Sequence, residues 1–389
     1  MKRGTLGIGW FSLGSLWGLG LAGLLFIGAF DGERREREGA ERRENSGAYS
    51  VAERVLSGAA ERRVRGAAEW RTSALASLIG TRWDADFGYA TGYDFGRGPQ
   101  VNTILGSGQE DSLLFVWWNV QNLFDTLPNS GERDSDFLPV GMYRWNSLRY
   151  YSKLYAVGRG LAAAAGGRIP DVIGVCEIEN ADVLDDLERR WPPAWRLWRL
   201  HRDSPDQRGI DVAVWYNPER LRVDSVAWIH PEINHPTREA LWLRFKTPSG
   251  KTLTWLWVHL PSQRAPSPKS RSLAIQSILK QCSQVPEGIT GDLNEGLDGP
   301  LASELRRQNY ESQYPSNYQG TYAYRGRLEA LDGVWIQKSA PWTARSKAIP
   351  FGLQKSAATG YQIKGSFQGT RYRGGASDHL PLRILVAAK

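Results

Sequence analysis

From residue 113 onward, short apolar runs alternate with stretches whose apolar residues recur at helical spacing. The apolar runs predict buried strands at 113–119, 169–176, 211–216, 241–245, 252–259, 285–290, 332–337 and 380–386. Helical spacing predicts helices over 143–165, 183–190 and 267–284. The first of these helices would end at Gly166, and the third would begin with Ser267 as its cap. Strands mixed with helices and hairpins favour an α/β layered fold over a purely doubly wound sheet.

The N-terminus has a different pattern, because an uncharged apolar stretch runs from Gly7 to Phe30 behind Lys2 and Arg3. About 20 apolar residues span the hydrocarbon of a bilayer, so the stretch is long enough to cross a membrane. A cleavage site at Ile27 would be poor, which favours an uncleaved anchor over a removed signal sequence. We therefore expect residues 1–30 to be an N-terminal hydrophobic helix. The protein would then be membrane-anchored or secreted, with its catalytic part outside the cytoplasm.

Composition divides the remainder into a linker and a domain. Residues 31–80 are rich in Arg, Glu, Ala and Gly with few large apolar residues, which predicts a charged, partly helical linker. Residues 81–389 are predicted to form the catalytic domain. The chain carries a formal net charge of +8, which suits an anionic substrate or surface, although an arginine-rich composition produces the same bias. Its two cysteines form no CxxC pair or Cys/His cluster, so a structural zinc site is not supported.

Polar residues recur where six of the predicted strands begin or end. These residues are Asn119, Glu177, His259, Asp292 with Asn294, Asp332, and Asp378 with His379. Carboxylate, amide and imidazole groups are costly to bury unless they are hydrogen-bonded or bound to a metal. A rim of such groups contributed by several strand ends indicates hydrolysis of a phosphate ester assisted by a divalent cation.

Six short strings around these residues occur in an order typical of one superfamily. The strings are WNVQNLFDT at 118–126, VCEIEN at 175–180, RGIDVAVWYNP at 208–218, GDLNE at 291–295, LDGVW at 331–335 and SDHLPL at 377–382. In them the chain resembles the endonuclease/exonuclease/phosphatase superfamily, which includes deoxyribonuclease I-like enzymes. The resemblance implies an α/β four-layer sandwich in which two packed mixed β-sheets are flanked by helices.

The resemblance also implies a role for each residue at the strand ends. Glu177 would be the main metal ligand, with Asn119 and Asp378 close to the same ion. Mg²⁺ is the expected ion, with Mn²⁺ or Ca²⁺ as alternatives, because a hard cation needs only one or two carboxylates. Arg208 and Arg264 would contact substrate phosphate.

The catalytic set implied by the resemblance has five members. Asp292 would orient or deprotonate the attacking water, and Asn294 would contact the phosphate. His379 would contact the scissile phosphate, Asp332 would fix its tautomer, and His259 is the candidate acid for the leaving oxygen. Whether the base is Asp292 or the His379–Asp332 pair stays open.

The preferred function is a nuclease that cleaves DNA or RNA phosphodiesters through in-line attack of activated water, acting as a monomer. A sphingomyelinase-type phospholipid phosphodiesterase and an inositol-phosphate phosphatase are the alternatives within the family. A non-catalytic anchored binding module is the alternative outside it. Nucleic acid is therefore the expected partner, with a phospholipid second and the membrane reached through the N-terminal segment. One fold hosts many phosphate esters as substrates, so the sequence does not choose among them.

Overall fold

The computed structural model describes residues 112–129, 134–234, 237–263, 267, 269–314 and 320–389. The predicted N-terminal helix, the linker and Arg264 lie outside these residues, so their assignments stay predictions. Within the described part of the chain, no helix is long and apolar enough to cross a membrane.

Four α-helices and eighteen strands follow one another along the described residues. The helices are α1 (Ser147–Ala165), α2 (Ala181–Glu188), α3 (Ser270–Gln281) and α4 (Pro300–Arg307), with a 3-10 turn at Ser135–Phe137. The strands are β1 (Ser112–Leu123), β2 (Val172–Ile178), β3 (Trp198–Leu200), β4 (Asp211–Tyr216), β5 (Arg222–Ile229), β6 (Ala240–Lys246), β7 (Thr252–His259), β8 (Gly288–Asp292), β9 (Tyr310–Ser312), β10 (Tyr322–Tyr324), β11 (Arg327–Glu329), β12 (Asp332–Gln337), β13 (Trp342–Ala348), β14 (Leu353–Ser356), β15 (Gly360–Ile363), β16 (Phe367–Gln368), β17 (Arg371–Tyr372) and β18 (Leu382–Ala388).

Two six-stranded mixed sheets form the frame. The first has the order β13-β18-β1-β2-β4-β3, in which β1 and β2 are parallel. The second has the order β5-β6-β7-β8-β12-β9, in which β7 and β8 are parallel. The α/β fold with two large mixed sheets agrees with the prediction from the sequence.

Alternation along β1 shows how the sheets and helices are layered. Phe115 and Trp117 belong to an apolar cluster shared with residues of the second sheet, including Trp255 and Trp257. Their neighbour Trp118 points to the opposite face and packs in a cluster with residues of α1 and α2. A third cluster lies between the second sheet and helices α3 and α4. Successive strand side chains face opposite sides, so one strand serves both the inter-sheet core and the layer beneath the helices.

Strand register aligns the predicted site residues. His259 pairs with Asp292 across β7 and β8, and Asp332 pairs with Asp292 across β12 and β8. In the first sheet Asn119 pairs with Cys176, and the register of β1 against β2 then shifts beyond Asn119. Such an irregularity re-aims side chains at the end of a strand. Adjacent ends of both sheets therefore carry the polar residues.

The predicted boundaries differ from the observed ones at several ends. The first helix begins at Ser147, because the Asn146 side chain accepts from the backbone N–H of Arg149 and caps it there. Its predicted end is confirmed by Gly166, whose φ of +65° places it in the left-handed region. The predicted cap Ser267 is wrong: its Oγ accepts from the N–H of Lys269, and the helix begins only at Ser270.

Candidate active site

Asn119 links the two sheets at the centre of the site. Its Nδ2 donates to Asp292 Oδ2 over 2.8 Å, and its Oδ1 accepts from the backbone N–H of Gln121 over 2.9 Å. The side chain is buried, and both of its polar groups are used. Because its amide nitrogen and its amide oxygen are both hydrogen-bonded, Asn119 fixes the Asp292 carboxylate of the second sheet relative to the end of β1.

Glu177 is held by the turn that ends β1. Its Oε2 accepts from the backbone N–H of Asn122 over 2.7 Å, and its Oε1 is 3.8 Å from His259 Nε2. Gln121, Asn122 and Glu177 have φ values of +52°, +51° and +66°, which are unfavourable for residues other than glycine. Backbone held in this region tends to mark functional sites, because the surrounding contacts must enforce it.

Two arginine side chains favour the ionised form of Glu177. Burial alone would raise the pKa of this carboxyl, but Arg208 and Arg238 outweigh burial and hold the pKa below its usual value. Arg208 is exposed, and its guanidinium donates to Asn122 Oδ1. The predicted phosphate-binding Arg208 thus lies at the open edge of the site, next to the turn that holds Glu177. Glu177 is therefore ionised and available to bind a cation.

His379 and Asp332 form a buried ion pair. His379 Nδ1 lies 2.6 Å from Asp332 Oδ2, Trp117 Nε1 donates to Asp332 Oδ1 over 2.9 Å, and Thr321 Oγ1 donates to Asp332 Oδ2. Burial opposes protonation of the imidazole, but the Asp332 carboxylate outweighs it and raises the pKa of His379 to about 10. The ring is therefore protonated at neutral pH, with Nε2 free of the Asp332 contact. Trp118 Nε1 donates to the His379 carbonyl over 2.8 Å and fixes the backbone.

Asp292 lies between Asn119 and His379. Its Oδ1 accepts from the backbone N–H of Asn294 over 2.9 Å, and its Oδ2 is 4.0 Å from His379 Nε2. Burial raises the pKa of Asp292 to about 7; His379 opposes this shift and Asp332 adds to it. A carboxyl with such a pKa can take up and release a proton near neutral pH. Asn294 has a φ of +52°, and its Nδ2 donates to the carbonyl of Leu260.

Comparison with known protein families shows which family the chain belongs to. Residues 114–388 match the sequence model of the Endonuclease/Exonuclease/phosphatase family. The chain belongs to this family.

Several solved structures are similar to the chain at low sequence identity. A functionally unknown conserved protein from Enterococcus faecalis V583 is 17% identical with a TM-score of 0.47, covering 71% of this chain and 100% of that chain. TDP2 from D. rerio, complexed with single strand DNA product, is 16% identical with a TM-score of 0.46, covering 71% and 99%. The mannosyl-6-phosphatase Bt3783 from Bacteroides thetaiotaomicron VPI-5482 is 15% identical with a TM-score of 0.47, covering 71% and 99%. No curated protein matches the chain.

The donor set of this family member fits a hard divalent cation. Asp378 and Glu177 lie close enough that, after burial, the charge of Glu177 is a cause of the raised pKa of Asp378. Two carboxylates that repel each other offer the oxygen ligands that Mg²⁺ prefers. Ligand atoms of Asp292, Asp332 and His379 also lie within 4.8 Å of one another. That second group is already bonded internally, so Glu177 and Asp378 are the better candidates to hold the ion.

His259 occupies the site beside a residue that the sequence did not single out. Arg238 is buried; its Nε lies 3.2 Å from His259 Nδ1, and its Nη1 lies 3.7 Å from Asp206 Oδ2. Burial and then Arg238 hold the pKa of His259 well below its usual value. A neutral imidazole 3.6 Å from Asp292 Oδ2 orients that carboxylate more readily than it donates a proton. Arg238 belongs to none of the six strings, so no local signal marked it.

Asn122 and Asp125, near the end of β1, have different roles. Asp125 is a cap, because its Oδ1 accepts from the backbone N–H of Leu127 over 2.6 Å. Asn122 is not, because its backbone N–H holds Glu177 and its side chain accepts from Arg208. Glu179 Oε2 accepts from the backbone N–H of Asp125 over 2.6 Å, which holds this part of the chain in place.

Proposed function

We propose that the chain is a divalent-metal-dependent phosphodiester hydrolase that acts on DNA or RNA. The observation that carries the proposal is the buried His379–Asp332 pair, whose free ring nitrogen Nε2 lies 4.0 Å from Asp292 Oδ2. The protonated imidazole of His379 can bind a phosphate oxygen, the carboxyl of Asp292 can accept a proton, and the two groups lie next to each other. Hydrolysis of a phosphate ester needs both groups, and family membership favours that reaction class.

The residues of the chain divide the reaction between them. A bound divalent cation, held by Glu177 and Asp378, would neutralise charge on a phosphate oxygen. His379 would donate a hydrogen bond from Nε2 to another phosphate oxygen, while Asp332 keeps its ring oriented. Asp292 would hold the attacking water and take its proton as the new bond to phosphorus forms. The leaving oxygen departs on the opposite side of the phosphorus and takes a proton from water.

A hairpin at the rim of the site supports nucleic acid as the substrate. The ring of Tyr322 lies 5.0 Å from the His379 ring, so β10 adjoins the chemistry. Tyr324, the last residue of β10, is 48% exposed, and the guanidinium of Arg325 lies over its ring at 5.0 Å. Exposed aromatic rings stack on unpaired bases, and arginines pair with phosphates. With Arg327 also exposed, the rim presents the aromatic and basic groups that a single strand requires.

The test combines a nuclease assay with matched rim variants. The full-length chain should nick supercoiled plasmid and degrade single-stranded DNA or RNA with Mg²⁺, and should stop when a chelator is added. Tyr324→Ala should raise KM for single strands several-fold, because a stacking contact is worth about 1–3 kcal/mol. The same variant should leave hydrolysis of bis(4-nitrophenyl) phosphate unchanged.

Tyr155→Ala is the matched control for Tyr324→Ala. Tyr155 on α1 is 50% exposed and also carries an arginine, Arg159, over its ring at 5.8 Å. Its removal should leave KM for both substrates as in the wild type. Absence of nicking with every divalent metal tried would overturn the nuclease proposal.

One observation favours a phospholipid phosphodiesterase as the second candidate. The segment after β1 exposes three large apolar side chains: Leu127 at 67%, Val140 at 95% and Met142 at 60%. Exposed apolar side chains in one segment suit contact with a lipid surface. Release of phosphocholine from sphingomyelin liposomes, without cleavage of nucleic acid, would favour this candidate over the first.

Location is part of the same proposal. A membrane-anchored domain outside the cytoplasm would meet nucleic acid or lipid of the cell surface. Fractionation of the full-length chain, followed by protease treatment of intact cells, would test it. Recovery of the chain only from the soluble cytoplasmic fraction would reject the anchored form.

A further inference from the structure

A lysine is buried beneath the site. Lys153 lies on the inner face of α1 and is only 1% exposed. Its Nζ donates to Ser366 Oγ over 2.7 Å, to the carbonyl of Gln121, and to the carbonyl of Asn122 at 3.4 Å. Burial of an ammonium group without partners is very costly, so these three acceptors account for its position. The question is what a cation does there.

On one side Lys153 binds the turn that holds Glu177. Gln121 and Asn122 both have positive φ values, and the N–H of Asn122 is the donor to Glu177 Oε2. Their carbonyls would otherwise be left without this donor inside the protein. An ammonium group that binds both carbonyls stabilises the unfavourable backbone conformation, and with it the orientation of the Glu177 carboxylate.

On the other side Lys153 binds the segment that leads to Asp378. Ser366 is fully buried, and its Oγ lies 3.2 Å from the carbonyls of both Gly375 and Ala376. Its backbone N–H donates to the Gln121 side chain over 2.6 Å. Ser366 therefore connects the ammonium group to backbone that precedes Asp378 by two residues. The segment that holds Glu177 by a hydrogen bond and the segment that leads to Asp378 therefore meet at one lysine.

We propose that Lys153 is a positioning residue for the metal site, which holds Glu177 and Asp378 at the separation that a divalent cation requires. The inference rests on the metal requirement of the proposed function and not on the identity of the ester. Lys153 acts on the two carboxylates through the backbone and Ser366, since it contacts neither carboxylate itself. Burial lowers the pKa of Lys153 to about 7, and the charges of Glu177 and Asp378 oppose this shift and favour the ammonium form.

The sign of the effect separates positioning from simple charge. A lysine that only added positive charge near the site would repel a divalent cation, so its removal would tighten metal binding. A lysine that positions the ligands would weaken metal binding when removed. Loss of groups that orient metal ligands typically costs about 10–100-fold in metal affinity. The two interpretations therefore predict changes in opposite directions.

The experiment is Mn²⁺ titration of the full-length chain by calorimetry without substrate. Lys153→Met keeps the length of the side chain and removes the charge, and we expect its Mn²⁺ dissociation constant to rise about tenfold. Ser366→Ala should also weaken binding. Combined with Lys153→Met it should add little, because both act through one bridge. If Lys153→Met does not fold, as judged by circular dichroism, Ser366→Ala decides alone.

Arg383→Met is the matched control, because Arg383, like Lys153, donates to two backbone carbonyls; in its case they belong to α1. Its Nη2 donates to the carbonyl of Ala163 over 3.0 Å and its Nε to that of Ala164, at the end of the helix opposite to Asn146. This variant should unfold at a lower temperature but bind Mn²⁺ as the wild type does. Unchanged or tighter binding in the folded Lys153 or Ser366 variant overturns the inference.

The same titration separates this inference from the proposed function. A wild type that binds no divalent metal would overturn both. A wild type that binds Mn²⁺ but cleaves no nucleic acid would overturn the proposed substrate and leave the role of Lys153 in place.

Discussion

Replacement of Asp292 by Asn should abolish hydrolysis and at the same time stabilise the metal-free protein. The carboxyl is buried at the meeting point of β7, β8 and β12, and its pKa is raised from 3.8 to about 7. A carboxyl whose pKa is raised on folding binds its proton more tightly in the folded state than in the unfolded state. Its contribution therefore favours folding at low pH and declines as the pH rises from about 4 to about 7.

The magnitude follows from the size of the shift. Each pKa unit corresponds to 1.36 kcal/mol, so a rise of about three units costs about 4 kcal/mol of stability once Asp292 is ionised. An amide at this position avoids that cost but no longer accepts from Asn119 Nδ2, a hydrogen bond worth about 1 kcal/mol. The attraction to His379 is already contained in the shift, so what reduces the gain further is the buried Asn119 Nδ2 that is left without its acceptor. We expect a net stabilisation of about 2 kcal/mol at pH 8.

The measurement is urea unfolding followed by tryptophan fluorescence, with EDTA present, at pH 5 and pH 8. Wild-type protein should lose stability between pH 5 and pH 8, and Asp292→Asn should lose distinctly less. Hydrolysis of bis(4-nitrophenyl) phosphate with Mg²⁺ should fall by at least ~10³-fold, as expected on loss of a proton acceptor at the reacting centre. A variant that is less stable than wild type at pH 8 in EDTA would refute the electrostatic reasoning, whatever its activity.

Three further substitutions test other parts of the site. Asp332→Asn should lower the free energy of unfolding by about 3 kcal/mol, because protonated His379 loses its buried partner. Its activity should fall by ~10³-fold. A variant whose urea unfolding and rates match those of the wild type would contradict this. Glu177→Gln should abolish the rise in melting temperature that Mg²⁺ produces in the wild type, and an undiminished rise would exclude it as a ligand. Arg238→Met should raise the pKa of His259, measured by NMR of the ring protons, and no upward shift would show that Arg238 does not depress it.

The large strands and the order of the site residues could be predicted because their signals are local. An apolar run such as Leu253 to Val258 is buried along its whole length and reads as a strand without any tertiary information. β13 gave no such signal, because only Trp342, Ala344 and Ser346 face inward and two of these are small. The pattern is that of a half-buried strand, but its inward side chains are too weakly apolar to reveal it.

Residues that act through space could not be predicted from the sequence. Arg238 and Lys153 stand alone among ordinary neighbours, and only the folded chain brings one against His259 and the other beneath Gln121. A lysine at helical spacing is usually taken for a solvated position, and the burial of Lys153 reverses that interpretation. Asn122 shows the same limit, since its role depends on a positive φ that residue type does not indicate.

The energetics of the site themselves argue for a cation. Asp292 and Asp378 are buried carboxyls whose pKa values are raised by burial, so each destabilises the fold when it is ionised, and the charge of Glu177 adds to the shift at Asp378. Packing alone gives no reason to retain such a cluster, since apolar residues of similar volume would be more stable. A divalent ion at Glu177 and Asp378 offsets the repulsion and lowers the pKa of nearby carboxyls. The melting temperature of the wild type should therefore rise with Mg²⁺ more steeply at pH 8 than at pH 5, where protons compete for the same carboxylates.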